Sequence, residues 1–243
     1  MSEKLSEKKS PFPFSMIEAM MPLYPYITVM GWMIVLIAFL VGLFALSPAQ
    51  ATFFSDAKVI REGAAIGSDF VNANVDSHVL EAWVPQFKFV GLGLGLMAIT
   101  MALGTIAMRL RRMGMVITSH IRTDLRPPMP PVPSRVRIFQ LSTIMGIMVL
   151  LAVLIIGIVL AVGIVPAYWN NSIASALNPA QVGSTLLSQL GFVSSFANWL
   201  NPLRMIGMAF LFTGITVALT VIIGTLRQQA GILVKFYNQA SNL

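Results

Sequence analysis

The sequence predicts an all-α integral membrane protein: four transmembrane helices arranged as two parallel helical-hairpin repeats, with extracytoplasmic helical segments between the spans. Three observations predict it. The 243 residues are 56% hydrophobic and only 10% charged, against roughly 25% charged in an ordinary soluble domain, which leaves too little charge to coat a globular surface in water. Four windows of the length that crosses a hydrocarbon core of about 30 Å carry no Asp, Glu, Lys, Arg or His. The second half of the chain also repeats the first.

The segment 1–26 opens with Lys4, Lys8 and Lys9, and then holds Phe12, Phe14, Met16, Ile17, Met20, Met21 and Leu23, a composition suited to lying in the headgroup region. The first span is expected over 27–46. Although Ala49, Gln50 and Ala51 resemble a signal-peptide cleavage site, the apolar run exceeds the usual length of about 7–15 residues, so a retained signal anchor is expected. The second span falls at 89–108, the third at about 141–165 and the fourth at 205–226. Lipid cannot satisfy backbone polar groups, so uncharged runs of this length should be α-helices.

Orientation follows from Lys and Arg near the span ends. Twelve of the 16 positive residues fall on one side: the N-terminal lysines, Arg109, Arg111, Arg112, Arg122, Arg126, Arg135 and Arg137 between spans two and three, and Arg227 and Lys235 in the tail. Lys58, Arg61, Lys88 and Arg204 lie opposite. Both termini should be cytoplasmic, in a multi-pass plasma membrane protein.

The duplication is read from three registers. At an offset of 116, 88–112 and 204–228 share eight identities in 25 positions, among them Gly91/Gly207, Thr100/Thr216, Ala102/Ala218 and Arg111/Arg227, where roughly two or three are expected by chance. Trp83 meets Trp199 in the same register. At an offset of 115, Thr28, Met30, Gly31, Met33, Leu36 and Gly42 meet Thr143, Met145, Gly146, Met148, Leu151 and Gly157. The stretch from Ala45 through Pro48, Ala49 and Gln50 recurs as Ala176 through Pro179, Ala180 and Gln181. Each unit therefore reads as span, Pro-Ala-Gln turn, outer helical segment, Trp, basic residue, span. Both begin on the same side, so they are parallel repeats about an axis along the membrane normal. The chain divides into 1–26, hairpin one at 27–112, an Arg/Pro-rich connection at 113–137, hairpin two at 138–228 and a tail at 229–243. Within the connection, Pro127, Pro128, Pro130, Pro131 and Pro133 favour a stiff polyproline II spacer.

Residues able to carry chemistry are few. With no Cys, disulfides and thiolate chemistry are excluded. The spans hold no ionisable group, which argues against proton relays and against bis-His haem sites within this chain. His78 and His120 fall on opposite sides and are expected to be ordinary surface or interface residues. Met30 and Met33, with Met145 and Met148, place two thioethers at i and i+3 in equivalent positions, a soft-ligand set for Cu(I) if the pairs converge, and otherwise packing material. Gly91, Gly95, Ala98 and Ala102, echoed by Gly207, Gly214 and Ala218, form stripes of the kind that lets helices approach closely in lipid. Trp83 with Lys88, and Trp199 with Arg204, are expected to anchor the outer interface.

No phosphate loop, dinucleotide fingerprint or hydrolase motif occurs, and Asn170-Asn171-Ser172 fits a glycosylation sequon. The reading is a non-catalytic accessory subunit of a multi-subunit membrane complex. Its expected partners are other integral membrane subunits, further copies of itself, and anionic headgroups at the Arg cluster. Nucleic acid is not expected, and no cofactor. A small channel or carrier on the pseudo-two-fold axis is the alternative, and a Met-based copper-binding component a further one.

Overall fold

The computed structural model describes residues 20–119, 134–179 and 183–241. Most of the expected headgroup segment, His120, Arg122, Arg126, the prolines of the spacer, and Ala180 and Gln181 lie outside the described residues. Among those described, every regular element is helical and none is a strand.

Helix α1 runs over Met21–Phe53. It starts on a 3-10 turn with Pro22 in its first turn, where the missing N–H costs nothing. A five-residue π-helical stretch, Gly42–Leu46, follows; the Ser47 N–H and Ser47 Oγ both donate to the Gly42 carbonyl, the latter at 2.9 Å. The expected turn at Pro48, Ala49 and Gln50 is instead helix, since Ser47–Phe53 is α-helical. Pro48 sits in the first turn of that segment, the one part of a helix that tolerates proline. The chain breaks only after Phe53. Short α2 (Lys58–Glu62) folds back so that the Arg61 guanidinium lies 4.7 Å and 5.0 Å from the Phe53 and Phe54 ring centroids.

Helix α3 (Asp69–Ser119) is introduced by Gly67 at φ +85°, a left-handed conformation open to glycine, and by Ser68, whose Oγ accepts from the Val71 N–H. Helix α4 (Arg135–Val162) ends at Gly163 and passes into α5 (Ile164–Trp169). Helix α6 (Ile173–Leu177) is capped by Ser172, whose Oγ accepts from the Ser175 N–H. Helix α7 covers Ser184–Ser241. Pro85 lies inside α3 and Pro202 inside α7. Four helices, beginning at Met21, Asp69, Arg135 and Thr185, are long and apolar enough to cross a membrane. Helix α3 has 51 residues and α7 has 58, each more than twice the roughly 20 that cross a hydrocarbon core.

The chain forms two compact units. Of the described residues, one takes in those up to Thr28, those between Leu96 and Met145 and those from Phe210 onward; the other takes in those between Val29 and Gly95 and between Gly146 and Ala209. In the first, Met21, Phe139 and Ala218 are buried together with Leu103 and Met108 against them. Ser142 Oγ donates to the Phe210 carbonyl at 2.6 Å, and Gln229 Nε2 donates to the Leu110 carbonyl. The second unit is centred on Val153, Leu160, Val165 and Leu200, with Val79, Ala82 and Phe196 packed on them.

Candidate functional site

The residues with the most constrained surroundings are glycines at helix crossings. A Cβ at Gly31 would stand 2.7 Å from the Gly91 carbonyl oxygen and 3.1 Å from the Gly95 nitrogen. Gly91 in turn would meet the Gly31 oxygen, Ile34 Cγ2 and Val35 Cγ2, each at 2.9 Å. A second crossing joins α4 to α7, where a Cβ at Gly207 would lie 3.0 Å from Leu150 Cδ2 and 3.2 Å from the Gly146 oxygen. A third crossing joins α4 to α3: Gly157 would meet the Ala82 oxygen at 2.8 Å and Gln86 Cγ at 2.9 Å. At Gly31, Gly91 and Gly157 the contact against backbone is shorter than 3 Å and requires glycine, because a main-chain carbonyl cannot turn aside as a side chain can; at Gly207 the nearest atoms belong to the Leu150 side chain.

The other small residues divide. Ala98 is 1% exposed and Ala102 half-buried; Gly214 packs on Thr143 Oγ1 and Ala218 joins Met21 and Phe139. Gly95 contributes its backbone to the Gly31 contact, yet a Cβ of its own would meet nothing within 4 Å. The composition of the stripes marks the crossing face of each helix without separating the glycines in contact from those beside them. Gly31 and Gly157 carry two of the three crossings but belong to no stripe, and the only sequence signal for them is their recurrence as Gly146 and Gly42.

Outside the charge-free runs, a polar and aromatic cluster ties elements together. The His78 ring stacks on Trp169 with centroids 3.8 Å apart and 14° between planes. His78 Nδ1 lies 3.5 Å from a Glu81 carboxylate oxygen, and Gln50 Nε2 donates to Glu81 Oε1 at 3.1 Å, linking α1 to α3. Tyr168, 1% exposed, donates its hydroxyl to the Ala176 carbonyl at 2.6 Å. Burial lowers the His78 pKa from its ordinary value, and the Glu81 carboxylate only partly opposes this. A histidine held below its unfolded pKa stabilises the fold while neutral, and that contribution is lost as pH falls through about 6.5. The unfolding midpoint should therefore drop between about pH 7.5 and 5.5, and His78→Gln should flatten the profile. An unchanged slope in that variant would assign the dependence to other groups.

The interfacial pairs differ in surroundings. Arg204 lies with its guanidinium 4.6 Å from the Phe89 ring centroid, donates from Nε to Asn201 Oδ1 at 2.9 Å, and reaches Gln86 Oε1 at 3.4 Å. Cation–π stacking and a bridge to α3 thus fix it. Lys88 is exposed. Trp83 is half-buried beside Phe87, with centroids 5.8 Å apart, whereas Trp199 is 40% exposed. Met30, Met33, Met145 and Met148 are all exposed on their helices. Among the described residues, no three His, Asp or Glu side chains gather as a metal-binding group. Gln140 is buried, and its Nε2 has no hydrogen-bond partner among the described residues.

No protein-family model, curated protein or solved structure matches the chain.

Proposed function

We propose that this chain is a non-catalytic integral subunit of a larger membrane assembly, built from two duplicated hairpins with both termini on the cytoplasmic side. The observation that supports the reading is exposed apolar surface on two helices beyond their charge-free runs. Helix α7 continues past Arg227, where its charge-free run ends, and there exposes Leu233, Val234, Phe236 and Tyr237. At about 1.5 Å per residue these side chains stand outside the hydrocarbon layer, where lipid tails no longer cover them. Met113, Met115 and Val116 are exposed in the same way beyond Arg112 on α3. Apolar surface of this kind, with Arg109, Arg112, Arg227 and Lys235 close by in the chain, fits a partner subunit at the headgroup level.

The duplication is supported by the glycine crossings. Gly31 with Gly91 and Gly146 with Gly207 are the pairs that the two sequence registers equate, and Val35 and Leu150, also equated, fill the second side of each crossing. Small-residue crossings hold each hairpin together, and the remaining faces are free for lipid or partners.

Affinity purification of the whole chain in mild detergent should return at least one other integral membrane polypeptide, and Leu233→Asp with Phe236→Asp should release it while the four helices stay folded. Recovery of a lone, stable single chain would overturn the proposal. The absence of Cys allows orientation to be read cleanly. A membrane-impermeant maleimide applied to intact cells should label Ser55→Cys and leave Ser241→Cys unlabelled until the cells are opened. The reverse pattern would invert the topology.

A further inference from the structure

We propose that a second copy of this chain docks the turn of α7 carrying Asn198, Trp199 and Pro202 onto the Gly42 face of α1. The inference rests on the duplication proposed above. The registers equate Gly42, Ala45 and Leu46 of α1 with Gly157, Leu160 and Ala161 of α4, and Val79, Ala82, Trp83 and Gln86 of α3 with Ser195, Asn198, Trp199 and Pro202 of α7.

Up to the middle of the first helix of each hairpin, burial agrees: Gly31 and Gly146 are both buried, Ala38 is 3% exposed and Val153 1%. Beyond that point the hairpins part. Gly157, Leu160 and Ala161 are buried, with Val79 and Ala82 packed on the Val153 and Leu160 cluster and the Ala82 carbonyl against Gly157. Their counterparts on α1 lack this cover: Ala45 is exposed, Gly42 and Leu46 are half-buried, and a Cβ at Gly42 would meet nothing within 4 Å. The counterparts on α7 are open as well, since Ser195, Asn198, Trp199 and Pro202 are all exposed. Among the described residues this crossing is therefore made once, and both of its halves occur a second time, unjoined. One copy's α7 turn matches what another copy's Gly42 face lacks.

Two local features suit that contact. The π-helical stretch begins at Gly42, and such insertions recur at functional sites. Pro202 has no N–H to give the Asn198 carbonyl, the group equated with the Ala82 carbonyl that faces Gly157. A glycine Cα–H approaching that oxygen is a recurrent helix-crossing contact. Each copy holds one face of each kind, so the association is head-to-tail.

The cysteine-free background supplies the test. Whole chains bearing Gly42→Cys and Asn198→Cys, with different tags, are co-expressed and oxidised in their membranes with copper phenanthroline. A disulfide-linked pair containing both tags is expected, with neither variant linking to itself. Gly42→Trp should lower the mass of the particle in mild detergent to that of one copy of this chain plus any other subunits, and leave the far-ultraviolet circular dichroism spectrum unchanged. The proposal is overturned if the mixed pair does not form, if the Gly42→Cys/Asn198→Cys double variant closes within a single chain, or if Gly42→Cys links to a different polypeptide. In that last case the accessory-subunit reading stands while self-docking falls. A mixed pair formed with no other subunit co-purifying gives the opposite result.

Discussion

Gly91→Leu should lower the stability of the α1–α3 pairing by about 3 kcal/mol, the upper end of what overpacking a close crossing costs. The first added carbon already falls 2.9 Å from the Gly31 carbonyl oxygen and from the γ-methyls of Ile34 and Val35, so α1 and α3 must separate before the rest of the side chain finds room. Intrinsic propensity acts the other way, since leaving glycine in a helix interior is worth up to about 1 kcal/mol. The steric loss is larger and sets the sign. Gly95→Leu, one turn along the same helix with open space at its Cβ position, should be neutral or slightly stabilising. Gly207→Leu should cost less than Gly91→Leu, because its nearest obstacle is the movable Leu150 side chain. Unfolding of each variant in mixed micelles, followed by far-ultraviolet circular dichroism, gives the order. Equal losses at Gly91 and Gly95 would show that the crossing is not where the contact distances put it.

Gly157→Leu should cost a similar amount, about 3 kcal/mol, by forcing α4 off α3 and opening the cluster around Val153 and Leu160. Two obstacles stand at the position, the Ala82 carbonyl and Gln86 Cγ, and only the second can be removed by substitution. Gln86→Ala combined with Gly157→Leu should thus recover less than half of the loss in the same unfolding measurement. Full recovery would mean that the backbone carbonyl offers no resistance.

How much of this was legible in the sequence depends on the physics behind each feature. Charge-free windows gave four membrane-length helices because hydrocarbon penalises every charged group and unpaired backbone group along about 20 residues, a constraint visible in one sequence. The extension of α3 and α7 far past those windows was not legible, since outside lipid nothing in the charge pattern says where a helix must stop. Proline misled at Pro48: read as a turn, it occupies a helix first turn that needs no N–H, while Pro85 and Pro202 interrupt long helices without ending them. In the site, small-residue spacing pointed to the faces of Gly91 and Gly207. Spacing within one helix carries no record of where a second helix crosses it, so Gly95 looked equivalent to Gly91. The stacking of His78 on Trp169 joins residues far apart in the chain and leaves no local pattern.

The reciprocity of the first crossing has an evolutionary consequence. A Cβ at Gly31 meets the Gly91 carbonyl oxygen, and a Cβ at Gly91 meets the Gly31 carbonyl oxygen. A side chain gained at either position is therefore not relieved by any substitution at the other, which is already the smallest residue there is. One pair of backbones blocks drift at both positions, and a lineage could leave this pairing only by moving a whole helix.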